Sequence, residues 1–122
     1  MLAYVTVGTN DLPRAAAFFD AVLGELGAVR AMEFDRMVIW SAGAGQPMIA
    51  AIKPYDGEPA TVGNGVMVAI NAGTREMADR IYNKAIALGA TDEGAPGVRG
   101  DGFYGAYFRD LDGNKFVACV WG

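Results

Sequence analysis

Apolar residues recur at helical spacing in two stretches of the chain, and residues typical of helix boundaries frame each stretch. The first begins after Asn10 and Asp11, which favour a helix cap, and ends at Gly27. The second begins after Thr74, another capping residue, and ends at Gly89. Two amphipathic helices are therefore predicted, with apolar faces formed by Leu12, Ala15, Ala16, Phe19, Val22, Leu23 and Leu26 in one and by Met77, Ala78, Ile81, Ala85 and Leu88 in the other.

Short apolar runs outside these helices predict extended strands. The clearest run is FYGAYFRDLDGNKFVACVW (residues 103–121), which reads as two strands joined by a tight turn at residues 110–114. Other strands are predicted at residues 2–8, 29–34, 37–41, 47–52 and 66–71. Residues 53–65 and 90–102 are rich in glycine and contain proline, so we predict a linker at the first and a loop at the second.

The two halves of the chain repeat one order of elements, namely a strand, a helix and shorter strands. Residues 4–7 correspond to residues 67–70, and the LGA at residues 26–28 corresponds to the LGA at residues 88–90. A repeated unit that cannot bury its own apolar face must pair with its twin. We therefore predict an α+β fold in one domain, residues 1–122, with module one at about residues 1–56 and module two at about residues 64–122. Two unrelated α+β halves are the alternative.

Composition and charge narrow the classes of function. The chain has 122 residues, a net charge of −4 and only ten Lys and Arg, which disfavours nucleic acid or an anionic membrane as a partner. No apolar run is long enough for a membrane span, and the first residues lack a signal-peptide pattern. The single cysteine, Cys119, excludes an internal disulfide and favours a reducing cytoplasm. The chain has no histidine, the commonest metal ligand and general base.

Two segments give the sequence a family resemblance. The helix-one segment LAYVTVGTNDLPRAAAFFDAVLGELGA and the closing segment YFRDLDGNKFVACVW resemble the vicinal-oxygen-chelate superfamily, which includes glyoxalases, bleomycin-resistance proteins and extradiol dioxygenases. The resemblance covers essentially the whole chain. It implies two βαβββ modules that form a curved mixed sheet around a cavity, and a homodimer. Active members hold a divalent metal through a His or Gln early in the first strand of each module and a Glu in its last strand.

This sequence departs from the family pattern at each of those ligand positions. The first-strand positions carry Tyr4 and Met67, and we assign the last-strand positions to Ile49 and Val117. Aliphatic side chains and a thioether do not hold such an ion, and one Tyr is insufficient. We therefore expect no metal and no other cofactor.

Strand alternation and the resemblance together define a candidate ligand-binding site. We predict that the concave side carries Tyr4, Thr6, Ile49, Met67, Ala69, Val117 and Cys119. Because the family forms a cavity there, we expect this side to be open rather than packed. Arg99 is added because a mobile flap at residues 90–102 would bring it over the cavity to pair with an anionic group; a plain solvated loop is the alternative. Cys119 lies among apolar residues and is expected to be an inert thiol.

Three functions remain compatible with these residues. The leading one is a metal-free, homodimeric small-molecule-binding protein of the cytoplasm, with a hydroxyl from Tyr4 in a mostly apolar cavity. The second is a lyase or isomerase that acts without the usual metal, with Tyr4 as acid and Glu93 as base. The third is a structural or regulatory dimer with a filled cavity. Whether the protein is an enzyme, and which residues would be catalytic, stays open.

Overall fold

The computed structural model describes every residue from 1 to 122 and divides the chain into two compact units, Met1–Val62 and Gly63–Gly122. The division falls within the predicted linker. Each unit contains one α-helix and one four-stranded mixed sheet. The α+β fold of two βαβββ modules is therefore confirmed. No helix in either unit is both long enough and apolar enough to cross a membrane.

The first unit begins with strand β1 (Tyr4–Gly8) and helix α1 (Leu12–Val22), which continues as a 3-10 turn at Leu23–Leu26. Strands β2 (Val29–Glu33), β3 (Met37–Ser41) and β4 (Met48–Ile52) follow. The sheet order is β1-β4-β3-β2, with β1 parallel to β4 and the other neighbours antiparallel.

The second unit repeats this topology. It contains strand β5 (Val68–Asn71), helix α2 (Arg75–Ala87), and strands β6 (Thr91–Val98), β7 (Phe103–Arg109) and β8 (Lys115–Trp121). The sheet order is β5-β8-β7-β6, again with the first and last strands of the unit parallel. A parallel pair needs a crossover connection, and in each unit the helix lies within that connection.

The helices begin and end where the capping residues predict. The Asp11 carboxylate accepts the backbone N–H of Arg14 at 3.1 Å, and the Thr74 hydroxyl accepts that of Met77, also at 3.1 Å. Gly27 follows the 3-10 turn with a φ of 80°, a left-handed conformation that glycine adopts without steric cost.

A buried tryptophan anchors α1 to its sheet. Trp40 is 1% exposed, and its ring centre lies 5.4 Å from that of Phe19. Its indole N–H donates to Asp20 Oδ1 at 2.8 Å, and the same carboxylate accepts from Arg30 at 2.9 and 2.7 Å. The hydrogen bonds from Arg30 hold the pKa of Asp20 below its ordinary value. Asp20 therefore satisfies a buried donor and ties the helix to β2 and β3.

A buried aspartate organises the turn between β7 and β8. Asp110 is 5% exposed, and its carboxylate accepts the backbone N–H groups of Asp112 at 3.0 Å and Asn114 at 2.8 Å. The Asn114 side-chain amide donates to the same carboxylate at 2.9 Å. Burial raises the pKa of Asp110, although these hydrogen bonds oppose the increase. The tight turn predicted at residues 110–114 is therefore confirmed.

The loop predicted at residues 90–102 is wrong, because its first part forms strand β6. This strand lies at the edge of its sheet and pairs only with β7, where register shifts occur between Asp92 and Gly94 and between Gly94 and Gly97. Glycine and proline disfavour a central strand, but both are tolerated at a bulged edge. Consequently Arg99 follows a strand rather than standing on a flap, and its backbone N–H donates to Phe103 O at 2.7 Å.

The Asp20–Trp40 contact yields a stability prediction. Asp20→Ala leaves the buried indole N–H without its acceptor, and we expect a loss of about 1 to 3 kcal/mol of unfolding free energy. Asp20→Asn keeps an acceptor oxygen and removes only a half-exposed ion pair, so it should lose only about 0.5 kcal/mol. Urea unfolding at fixed protein concentration measures both, and equal losses would contradict this role for Asp20.

The lowered pKa of Asp20 also gives the ion pair a pH dependence. The folded-state pKa lies below the ordinary value of 3.8, so the contribution is present above that pH. It should be lost as the pH falls from 3.8 towards the lower folded-state pKa. Asp20→Asn should therefore lose less stability than the wild type across that interval.

Candidate functional site

Most of the candidate residues lie on the sheet faces that are turned away from the helices, called here the open faces. In the first unit, Tyr4 pairs with Met48 and Thr6 pairs with Ala50, so these side chains share the open face. In the second unit, the cross-strand pairs Ala69–Val117 and Asn71–Cys119 lie on the open face, and Tyr107 and Gly105 continue it into β7. Met67 precedes β5 with the same alternation as Ala69.

Ile49 does not share this side, and its placement on the concave side is wrong. It pairs with Val5 and Trp40, and Trp40 packs against α1, so Ile49 faces the helix. The connection between the last two strands covers residues 42–47 in the first unit and 110–114 in the second, one residue longer in the first. If the two connections are taken to be equally long, every residue that follows the first connection is assigned to the wrong face of the sheet.

The residue equivalent to Val117 is therefore Ala50. Ala51 and Ala118 correspond, since each pairs with a buried residue of the first strand in its unit, Val7 and Ile70. Ala50 and Val117 each precede these alanines by one residue. A methyl group offers no more to a metal than the side chain of Ile49, so the argument against the family's metal site is unchanged.

The donor atoms at the four family positions do not fit a divalent metal. Tyr4 and Met67 are 46% and 43% exposed, whereas Ala50 and Val117 are buried and carry no donor. A hard or borderline divalent ion needs several oxygen or nitrogen ligands, which one phenol and one thioether do not provide. In neither unit do three or more His, Cys, Asp and Glu side chains gather as a group that could hold a metal.

Two of the predicted lining residues, Val117 and Cys119, are buried. An added Cβ at Gly105 would lie 2.9 Å from the Phe103 ring, 3.3 Å from the Tyr107 ring and 3.2 Å from Val117 Cγ2. The two rings thus close over Gly105 and help to leave Val117 at 0% exposure. The Cys119 thiol donates to a backbone carbonyl, and burial raises its pKa, which disfavours the reactive thiolate.

Four candidates remain accessible on the first strand of each unit or just before it. Tyr4 and Thr6 are exposed on β1, and Met67 and Ala69 are exposed at the start of β5. They offer a phenol and an alcohol in one unit, and a thioether and a methyl group in the other. The hydroxyls of the first unit could orient a small organic molecule, and the apolar groups of the second unit could supply contact area to one.

The open face of the second unit carries a group of charged side chains, of which the sequence analysis named Arg99 and Glu93 but missed Arg109 and Lys115. Two cations lie beside the Tyr107 ring. The Arg99 guanidinium carbon is 5.5 Å from the ring centre, and Lys115 Nζ is 5.6 Å from it. Arg109 Nε forms an ion pair with Glu93 Oε1 at 3.1 Å, and Lys115 Nζ lies 3.7 Å from the same oxygen. We call Arg99, Arg109 and Lys115 the cationic cluster.

A signal for the cluster was present in the hairpin. Arg109 and Lys115 flank the five-residue turn and pair across the strands, so they must lie on one face together with Tyr107 two residues away. Arg99 could not be found in this way, because its approach to Tyr107 depends on the bulged course of β6.

A separate pocket of about 670 Å³ lies in the first unit beside the start of α1. It is lined by side chains of both charges, including Asp11, Glu33 and Lys53, and contains none of the predicted site residues. Arg30, which also lines it, is already bound to Asp20 at 2.7 Å and to Glu33 at 2.9 Å. Arg30 is therefore already engaged within the protein, and the remaining charged groups of the lining carry both signs, which favours no single class of ligand.

The topology defines the class: a protein built from two βαβββ modules whose helices cover one face of each sheet. The chain belongs to the glyoxalase/bleomycin resistance protein/dioxygenase superfamily, whose family model matches residues 1–118. The resemblance inferred from the two sequence segments is therefore confirmed.

Solved structures agree with this assignment. A glyoxalase/bleomycin resistance protein from Albidiferax ferrireducens T118 is 37% identical, with a TM-score of 0.90 over 98% of this chain and 97% of that one. A family enzyme from Burkholderia phytofirmans PsJN (22% identity, TM-score 0.76, 96% and 95% coverage) shares the fold. So does a lactoylglutathione lyase from Agrobacterium tumefaciens (20%, 0.72, 98% and 92%). Among curated proteins, none matches the chain.

The burial of Val117 yields a second stability prediction. Val117→Glu would place a carboxylate under the rings of Phe103 and Tyr107, and we expect a loss of more than about 3 kcal/mol or an insoluble protein. Ala69→Glu is the matched control, since Ala69 pairs directly with Val117 on the same face but is exposed. Its loss should stay below about 0.5 kcal/mol. Urea unfolding measures both, and a mild effect at Val117 would show that this part of the face opens readily.

Proposed function

We propose that this protein is a small-molecule-binding member of its superfamily that holds its ligand without a metal ion. The observation that carries the proposal is the replacement of all four family ligand positions by Tyr4, Ala50, Met67 and Val117, of which only Tyr4 and Met67 are exposed and carry a polar or polarizable atom. The fold alone does not imply catalysis, since function depends on the site.

Binding would use the exposed positions of the open faces rather than the buried ones. On the first unit, Tyr4 and Thr6 would offer hydrogen bonds to polar groups of a ligand. On the second unit, Met67 and Ala69 would offer contact area. Val117 and Cys119 would support this surface from beneath, because they are already packed. A lyase or isomerase that uses Glu93 as its base is less well supported, since Glu93 is paired with Arg109 and Lys115.

The proposal includes a homodimer in a reducing cytoplasm. Several large apolar side chains stay exposed on the open faces and at the sheet edges, and a second copy could cover them: Tyr4, Val29, Met32, Met67 and Trp121. Edge strands β2 and β6 also present unpaired backbone groups. The single buried Cys119 needs no oxidising compartment.

Ligand binding should be independent of metal. We expect native mass spectrometry of the purified, chelator-treated protein to show less than about 0.1 metal ion per chain while a co-purified small molecule stays bound. Met67→Ala should weaken retention of that molecule through lost contact area, whereas Leu88→Ala, at an exposed apolar residue just after α2, should not. About one metal ion per chain that survives dialysis against chelator would overturn the proposal.

The dimer is tested separately by sedimentation. At micromolar concentration the protein should sediment at about twice its chain mass of 12.8 kDa. Met32→Glu, which would place a charge on the open face of edge strand β2, should shift the equilibrium towards monomer. Glu58→Gln in the linker serves as the control. A wild-type protein of 12.8 kDa under these conditions would rule out the dimer.

A further inference from the structure

The cationic cluster concentrates positive charge in an acidic protein. The chain carries a net charge of −4, yet Arg99, Arg109 and Lys115 lie on one face of one sheet, with Glu93 as the only carboxylate bound to any of them. Like charges that are held together repel each other unless an anion compensates them. The excess of positive charge around Tyr107 therefore favours the binding of an anion.

The three cations differ in how many contacts they already make with oxygen atoms of the protein. The Arg109 guanidinium is bound to Glu93 at 3.1 Å and to Gly113 O at 2.9 Å. Lys115 has only a long contact with Glu93, 3.7 Å from nitrogen to oxygen, and Arg99 has no carboxylate partner and donates only to Ala95 O. Arg99 and Lys115 thus keep donors for a ligand, whereas Arg109 holds Glu93 in place.

The glycines of β6 make room for the Arg99 guanidinium. A Cβ added at Gly97 would lie 2.9 Å from Arg99 Nη1, and one added at Gly94 would lie 3.2 Å from both Arg99 Nη2 and the Tyr107 ring. Side chains at these positions would displace the guanidinium from the strand or from the ring. The glycines that prevented β6 from being predicted therefore position the least occupied cation of the cluster beside Tyr107.

The same face ends in an aromatic pair. Phe103 and Trp121 pair across β7 and β8 with ring centres 4.7 Å apart, and Trp121 is 75% exposed. Tyr107 and Phe103 are four residues apart on one strand, which places their Cα atoms about 13 Å apart. Both rings lean over Gly105, where an added Cβ would lie 2.9 Å from the Phe103 ring and 3.3 Å from the Tyr107 ring, so the aromatic end directly adjoins the charged end. The length and polarity of this face match a small molecule with an anionic group at one end and an apolar body.

We propose that the open face of the second unit binds the carboxylate or phosphate group of an amphipathic small molecule. Arg99 and Lys115 hold the anion beside Tyr107, and the apolar body extends towards Phe103 and Trp121. The proposal names the ligand class of the binding protein proposed above and rests on that function. It concerns a small anion rather than a nucleic acid, because the net charge of −4 repels a polyanion.

The test is an amide NMR titration of the full-length, chelator-treated protein with benzoate, phenyl phosphate and the neutral benzyl alcohol. We expect both anions to shift the amides of Gly94, Gly97 and Tyr107, and benzyl alcohol to leave them unshifted. Benzoate tests for a carboxylate ligand and phenyl phosphate for a phosphate ligand, and binding of either compound supports the proposal. Raising the salt concentration should weaken the binding of both.

Variants assign the binding to the cluster. Arg99→Gln and Lys115→Gln should each weaken binding about fivefold to tenfold, as expected for the loss of one charge-assisted contact. Lys84→Gln, an exposed cation on α2, is the matched control and should leave the affinity unchanged. Glu93→Gln should tighten binding, because it removes the competing carboxylate. A merely structural role for Glu93 would predict weaker binding instead.

Three results would overturn the inference. The first is that neither benzoate nor phenyl phosphate binds. The second is that benzyl alcohol shifts the same amides as strongly as the anions do. The third is that Arg99→Gln and Lys115→Gln both leave the affinity for the anions unchanged. None of them bears on the metal content or on a co-purified ligand. The anion site can therefore fail while the proposed function stands, and about one retained metal ion per chain would refute the proposed function independently.

Discussion

The buried carboxylate of Asp110 fixes the hairpin on which the second unit depends. It accepts two backbone N–H groups and one side-chain amide within the turn, so the strands on either side have one register. That register pairs Arg109 with Lys115 and Tyr107 with Val117. A slip of one residue on either strand would move that strand's side chains to the opposite face and separate these pairs. A turn interaction thereby decides which side chains share the open face of the second unit.

The helix of each unit packs on one face of its sheet and leaves the other face open. The helix-facing side is closed by large rings, with Trp40 against Phe19 in the first unit and Phe108 stacked on Phe116 in the second. Substitutions there cost packing energy, whereas the exposed positions of the open face can change with little effect on stability. This separation explains how the superfamily fold is kept while the positions that hold a metal elsewhere carry Tyr4 and Met67.

The open face of the second unit has a covered centre and an accessible edge. Around Val117 the second face is covered by Phe103 and Tyr107, which makes it a firm platform rather than a cavity floor. Accessible chemistry lies at its periphery, where the cationic cluster adjoins a half-buried ring. An electrostatic contact there is stronger than one in bulk water, since the sheet excludes solvent from one side. Ligand selection by charge would therefore need neither a metal nor a deep pocket.

The sequence by itself determined the elements that depend on local patterns. Helix periodicity, the caps at Asp11 and Thr74, the turn at residues 110–114 and the repeat of the module could all be predicted, and the two family segments identified the superfamily. Only the tertiary structure revealed β6, because pairing at a sheet edge stabilises a strand that glycine and proline disfavour locally. It also decided that Ile49 faces the helix, that Val117 is buried, and that Arg99 and Lys115 meet at Tyr107. Those outcomes depend on register and on contacts between residues distant in sequence, which no local pattern of apolar and polar residues encodes.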